Sequence, residues 1–280
     1  MVQSFIATLF DPSIPFLRNA LLAGVLAAIL FGVLGTIVTV KRIAGLAGAI
    51  SHAVLGGIGL ALYLSATGLV PHFSPLMGAL LFAVLSAVVI GLVSLTMKQR
   101  EDTIINAIWA IGMSLGVLFM AKTPGYRDPA SYLFGNILFI TSQDLVLLAL
   151  LDGLVIFLVW RYYPQLVATA FDEEFARVRG IPVQAIFLII LSIIAIAVVL
   201  LQTFVGVVMV IAMLTLPAGT ASYFSKSLAG MMVGSVLYAL VFSVMGLFLG
   251  WVFDLPGGAM VVVLAGVGYI MAGLIKHFRK

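Results

Sequence analysis

The chain has 280 residues, of which 64% are hydrophobic and only 9% charged, and its mean hydropathy is +1.29. A water-soluble domain needs about a quarter charged residues to coat its surface, so that class is excluded; long continuous apolar runs likewise exclude a β-barrel, whose strands alternate. The absence of cysteine excludes disulfides and thiolate metal sites, and the net charge of +4 reflects the Lys and Arg of cytoplasmic loops rather than nucleic-acid binding.

The fold class predicted is all-α, a polytopic integral membrane helical bundle. Lipid satisfies no backbone polar group, and a helix of about 20 apolar residues crosses its core. About eight to ten transmembrane helices fit, in a single transmembrane domain covering 1–280. The first run, 16–40, follows a start without a basic segment, so no cleavable signal peptide is expected.

The second run, 45–66, contains Ser51, His52 and Ala53. His52 lies ten residues beyond Arg42, about 15 Å along a helix and so near the midplane. Gly45, Ala49, Ala53, Gly57 and Ala61 form a ribbon of small residues that lets another helix approach. Gly48 and Gly56 flank His52 one turn below and above, which predicts open space around the imidazole. An ionisable group at this depth faces the bundle interior or a polar cavity. A neutral imidazole suits zinc and accepts manganese, whereas the bland alternative is a histidine bonded to a neighbouring helix carbonyl.

Runs at 75–97 and 103–121 follow, and residues 131–140 are apolar but too short to span, which suggests a re-entrant or interfacial piece. The run 143–161 carries Asp152, nine residues before Arg161. It is a candidate second metal ligand, a partner for His52, or a structural hydrogen-bonding group.

Residues 171–182 are polar and well punctuated. Asp172 suits a helix N-cap, Glu173 and Glu174 its positive end, Arg177 and Arg179 its negative end, and Gly180 its stop before Pro182. A helix of two turns is unstable alone in water, so this one docks, either on its own bundle or on a partner.

The runs 183–202 and 205–222 are separated only by residues 202–206, so they can form one tight hairpin. Pro217 cannot donate to the carbonyl of Met213 and is a candidate hinge. Met209 and Met213 share a face and are read as packing. The last runs are 229–251 and 257–276, with Asp254-Leu255-Pro256-Gly257-Gly258-Ala259 between them. His72 and His277 fall in a loop and the C-terminal tail. In this layout Lys41, Arg42, Lys98, Arg100, Arg161, Arg177, Arg179, Lys226, Lys276, Arg279 and Lys280 lie on one side, and Arg18, Lys122 and Arg127 on the other. That asymmetry predicts the N-terminus outside and the C-terminus in the cytoplasm.

Four stretches in order carry a resemblance. The Ser-His-Ala helix at 50–60, the 171–182 segment, the Val-Gly…Leu…Pro-Ala-x-x-Ala stretch at 202–221 and the Asp-x-Pro-x-Gly turn at 254–259 are similar to those of one family. It comprises the permease subunits of ATP-binding-cassette importers for zinc, manganese and related divalent metals. Many members carry an aspartate four residues before the histidine, where this chain has Gly48.

The resemblance implies a permease of the bacterial cytoplasmic membrane, no enzyme itself, that carries zinc or manganese, or iron, as substrate and holds no permanent cofactor. It implies a homodimer, ATPase subunits docked below on Asp172, Glu173, Glu174, Phe175, Ala176, Arg177 and Gly180, and an extracytoplasmic metal-binding protein above. His52, with Ser51 and Asp152 as further candidates, would line the path, and Gly48, Gly56, Gly57 and Pro217 would serve packing or hinging. The chain lacks the G-x-x-x-x-G-K-[ST] phosphate cradle, so a separate chain must supply ATP hydrolysis. The rivals are an ATP-binding-cassette permease for a metal chelate (siderophore, haem or cobalamin) and a proton-coupled secondary transporter using Asp152 and His52. An intramembrane enzyme ranks last.

Overall fold

A computed structural model describes residues 15–96, 101–125 and 140–279. The short run at 131–140 falls, except for Ile140, outside the described residues, as do Lys98, Arg100, Arg127 and Lys280. The described residues form twelve helices: α1 (Pro15–Val40), α2 (Ala44–Ala66), α3 (Pro75–Thr96), α4 (Glu101–Lys122), α5 (Ser142–Arg161), α6 (Tyr163–Phe171), α7 (Glu173–Val178), α8 (Val183–Val205), α9 (Val207–Met213), α10 (Leu216–Ser222), α11 (Leu228–Phe253) and α12 (Gly257–Phe278). Eight of them, α1–α5, α8, α11 and α12, are long and apolar enough to cross a membrane. The chain is a multi-pass helical membrane protein. It divides into two compact units, one holding 1–41, 134–163 and 204–280, the other 42–133 and 164–203.

In the first unit α1 runs antiparallel to α11. Gly24 meets Ser243 and Gly32 meets the backbone of Val236. The buried hydroxyls of Thr36 and Ser235 bond at 3.0 Å, which satisfies two polar groups that lipid would leave bare. Helix α5 starts with a capping box: the Thr141 hydroxyl accepts from the Asp144 N–H, and the Asp144 carboxylate accepts from the Thr141 N–H at 2.9 Å. Asn19 of α1 donates to the Ile140 carbonyl at 3.1 Å and ties this start to α1.

The turn at 254–259 owes its composition to a close helix pair. Asp254 takes a left-handed conformation (φ 55°) that ends α11. Its successors fold back so closely that a side chain on Gly250 would stand 3.0 Å from the Gly257 Cα and the Leu255 carbonyl oxygen. Any larger residue at 250 would press on that backbone, so glycine is favoured there.

The run 205–222 forms a broken helix. Pro217 has no N–H for the Met213 carbonyl, so the helix stops and Pro217 falls in the first turn of α10, where no such bond is required. The Thr215 hydroxyl donates to the carbonyls of Ile211 and Ala212 at 3.1 and 3.2 Å. Met209 borders a small cavity with Gly257 and Val261, Gly219 packs on Tyr269, and Tyr223 on Gly273. The two short helices thus run alongside α12 from its start to its last turns.

In the second unit α2 is central. Its ribbon of small residues meets two neighbours. Gly57 touches the Gly78 carbonyl of α3. Along α4, which runs parallel to α2, Gly45 meets Ile105, Gly56 the Gly112 carbonyl and Gly59 the Gly116 carbonyl. Gly116 in turn has room for no Cβ, which would sit 2.7 Å from the Leu55 carbonyl oxygen. Gly116→Leu therefore forces the α2 and α4 backbones apart. Overpacking of this kind costs about 3 kcal/mol, and a lowered unfolding midpoint in detergent measures it. An unchanged midpoint would mean that α2 and α4 do not pack this closely.

Candidate functional site

Three features hold the polar residues that the sequence singles out. The first is the middle of α2. His52 is 9% exposed and Ser51 fully buried. The Ser51 hydroxyl donates to the Ala47 carbonyl one turn back at 2.9 Å, so its proton is committed to its own helix while its lone pairs remain. The His52 Nδ1 is buried and has no hydrogen-bond partner. A histidine that merely braced two helices would donate to a carbonyl; this ring nitrogen does not.

The open space predicted around the imidazole is not there. The ring of Trp109, from α4, lies over it with centroids 4.2 Å apart and planes inclined by 18°. The same indole fills the hollow at Gly48, where a Cβ would stand 3.2 Å from its Cζ3. Gly56, on the other side, is closed by the Gly112 carbonyl and Phe82. Small residues give room, but helix packing used that room for α4. Trp109 escaped sequence reading, although one signal was present: tryptophan prefers the membrane interface, and this one sits about 12 Å into its span.

The second feature is Asp152 on α5. It is 4% exposed and shares its buried face with Leu148, Leu151 and Val155. Neither carboxylate oxygen has a hydrogen-bond partner. An unsatisfied buried carboxylate is costly and calls for water, an ion or a proton. Among the described residues no three His, Cys, Asp or Glu side chains gather closely enough to cage a metal ion.

The third feature is α7. The Asp172 carboxylate accepts from the Phe175 N–H at 2.9 Å and caps the helix, a contact worth about 1 kcal/mol. Glu173 and Glu174 occupy the first turn and Arg177 the last. Gly180, at φ 75°, closes the helix; its N–H bonds the Arg177 carbonyl and that of Ile181 the Ala176 carbonyl. Ala176 is fully buried beneath, so α7 is anchored through one small residue. Above it the apolar side chains point outward: Phe171 is 70%, Phe175 50% and Val178 86% exposed. The Arg179 guanidinium lies 5.1 Å from the centre of the Phe175 ring. The helix α6 before it lies between the run that ends at 161 and the polar segment that begins at 171, and it was not foreseen.

Comparisons with known proteins agree in extent. The profile of the ABC 3 transport family matches residues 13–276. A protein of Chlamydia muridarum named "probable metal transport system membrane protein" is 36% identical over 273 residues, covering 97% of this chain and 93% of that protein. The manganese transport system membrane protein MntC of Halalkalibacterium halodurans is 30% identical over 262 residues, covering 93% and 87%. A chain in the structure of PsaBC from Streptococcus pneumoniae in complex with Fab superposes with a TM-score of 0.84 at 28% identity, over 97% of this chain and 95% of that one.

Proposed function

Because the chain belongs to the ABC 3 transport family, we propose that it is the membrane-spanning permease of an importer that moves a bare divalent metal ion, manganese or zinc, into the bacterial cytoplasm. The chain is a transport component and not an enzyme. The observation that carries the reading of its mechanism is α7, a capped and anchored two-turn helix whose exposed face is apolar between charged ends. Such a face is a handle for another protein. A separate ATPase docks there, and its closure on ATP moves α7 together with Gly180 and the helices that follow.

The ion passes along the His52 helix, with Ser51 lone pairs as a further polar station; Asp152, in the other unit, is a separate candidate contact. A transport site must release what it binds, so a single neutral nitrogen and few carboxylates serve it better than a permanent cage. Relatives such as MntC are named as manganese transport proteins, which supports an unchelated ion over a siderophore, haem or cobalamin. A proton-coupled carrier would leave α7 without a task.

Asn106 and Ser114 are exposed on the spanning helix α4. An exposed amide and hydroxyl on a spanning helix favour a second copy of the chain, or the path itself, against this face. The permease works as a homodimer, each chain a single permease domain, with a metal-binding protein on the outer side. With nine crossings, including the broken one, the N-terminus lies outside and the C-terminus in the cytoplasm.

Proteoliposomes holding the permease with its ATPase, with the metal-binding protein supplied on the opposite side, test this reading. ATP supplied on the ATPase side drives manganese or zinc movement towards that side, and without ATP there is none. Uptake driven by a proton gradient alone would overturn it.

A further inference from the structure

A histidine that lends one ring nitrogen to a metal is ordinarily steered by a hydrogen bond from the other, which fixes the ring plane and the tautomer. His52 lacks that bond on Nδ1. What the ring has instead is an aromatic face: Trp109 stacks on it at 4.2 Å, nearly parallel at 18°. Lone pairs on imidazole lie in the ring plane, so a ring stacked above blocks no ligand direction. It does remove rotation about the Cβ–Cγ bond, because tilting the imidazole would drive it into the indole.

We propose that Trp109 is a positioning residue for ion passage, which orients the His52 imidazole by stacking in place of a hydrogen bond. Gly48 is the condition for this, since any side chain there presses on the indole, its Cβ already 3.2 Å from Cζ3. The arrangement holds the plane of the ring but leaves its tautomer unset. That keeps the nitrogen a weak, quickly released ligand, as an ion path requires. The inference rests on the reading of His52 as a path-lining group, and its test separates the two.

The measurement is the initial rate of manganese uptake against ion concentration, for the permease reconstituted with its ATPase. Trp109→Phe keeps a flat ring and is expected to hold KM within about threefold. Trp109→Leu keeps bulk without a flat face, and its KM is expected to rise about tenfold or more, the scale of losses when a ligand's orienting partner is removed. In a His52→Ala background Trp109→Leu should add nothing, because it acts through the imidazole. If Trp109→Leu fails to assemble with the ATPase, Gly48→Val, which displaces the indole, should give the same rise. Equal KM values for the leucine and phenylalanine variants would overturn the stacking role, as would additivity with His52→Ala. Full uptake by His52→Ala alone would instead overturn the reading of His52.

Discussion

His52→Ala is expected to lower metal uptake about 100-fold while leaving assembly with the ATPase intact. The size follows from what the ring would do. Removing an ion ligand from a path with few others loses a contact of several kcal/mol, and about 1.4 kcal/mol is a factor of ten. The neighbours of His52 support an intact fold in the variant. The close packing of α2 on α3 and α4 runs through Gly57, Gly56 and Gly59, and none of those contacts uses the imidazole. Asp152→Asn supplies the comparison, since it keeps shape and removes charge. A loss only in the histidine variant assigns the ion contact to α2; a loss only in the asparagine variant moves it to α5. Initial rates with manganese and zinc, each normalised to assembled complex, decide between them.

The second large effect belongs to α7. Phe175 is half exposed in a polar segment and held by Arg179 across its ring face, the profile of an aromatic anchor at an interface. Phe175→Ala is expected to weaken binding of the ATPase about 30-fold, the equivalent of 2 kcal/mol. Exchanging the charges, Glu173→Lys with Arg177→Glu, also sets both ends of the helix against its dipole and should abolish ATP-driven uptake. Co-purification and ATP hydrolysis read the two outcomes. Assembly and coupled hydrolysis at the parent level in both variants would show that the motor docks elsewhere.

Much of the membrane fold was legible because lipid imposes a simple rule, and eight long apolar runs obey it. The caps of α7 were legible for a similar reason: Asp172, Gly180 and the charges between them have local physical preferences that no distant contact overrides. The break before Pro217 was half legible. A missing N–H predicts a kink, but the sequence does not tell that the Thr215 hydroxyl bonds back to the Ile211 and Ala212 carbonyls beside the break. The surroundings of His52 were misread. Glycines at 48 and 56 suggested a hollow, because a sequence lists what is small and not what comes to fill it. The filler, Trp109, stands 57 residues away on a helix whose parallel register with α2 depends on the fold. Both buried acceptor groups, on His52 and Asp152, were foreseen as depth; that neither finds a hydrogen-bond partner could come only from coordinates.

The most direct test of the whole account is transport by the purified permease with its ATPase and metal-binding protein in sealed vesicles, offered bare manganese or zinc in one arm and the same ion held by a siderophore or haem in the other. ATP-dependent uptake of the bare ion, and none of the chelate, is the result predicted. Uptake of the intact chelate, or uptake of the bare ion that follows a proton gradient and ignores ATP, would contradict it.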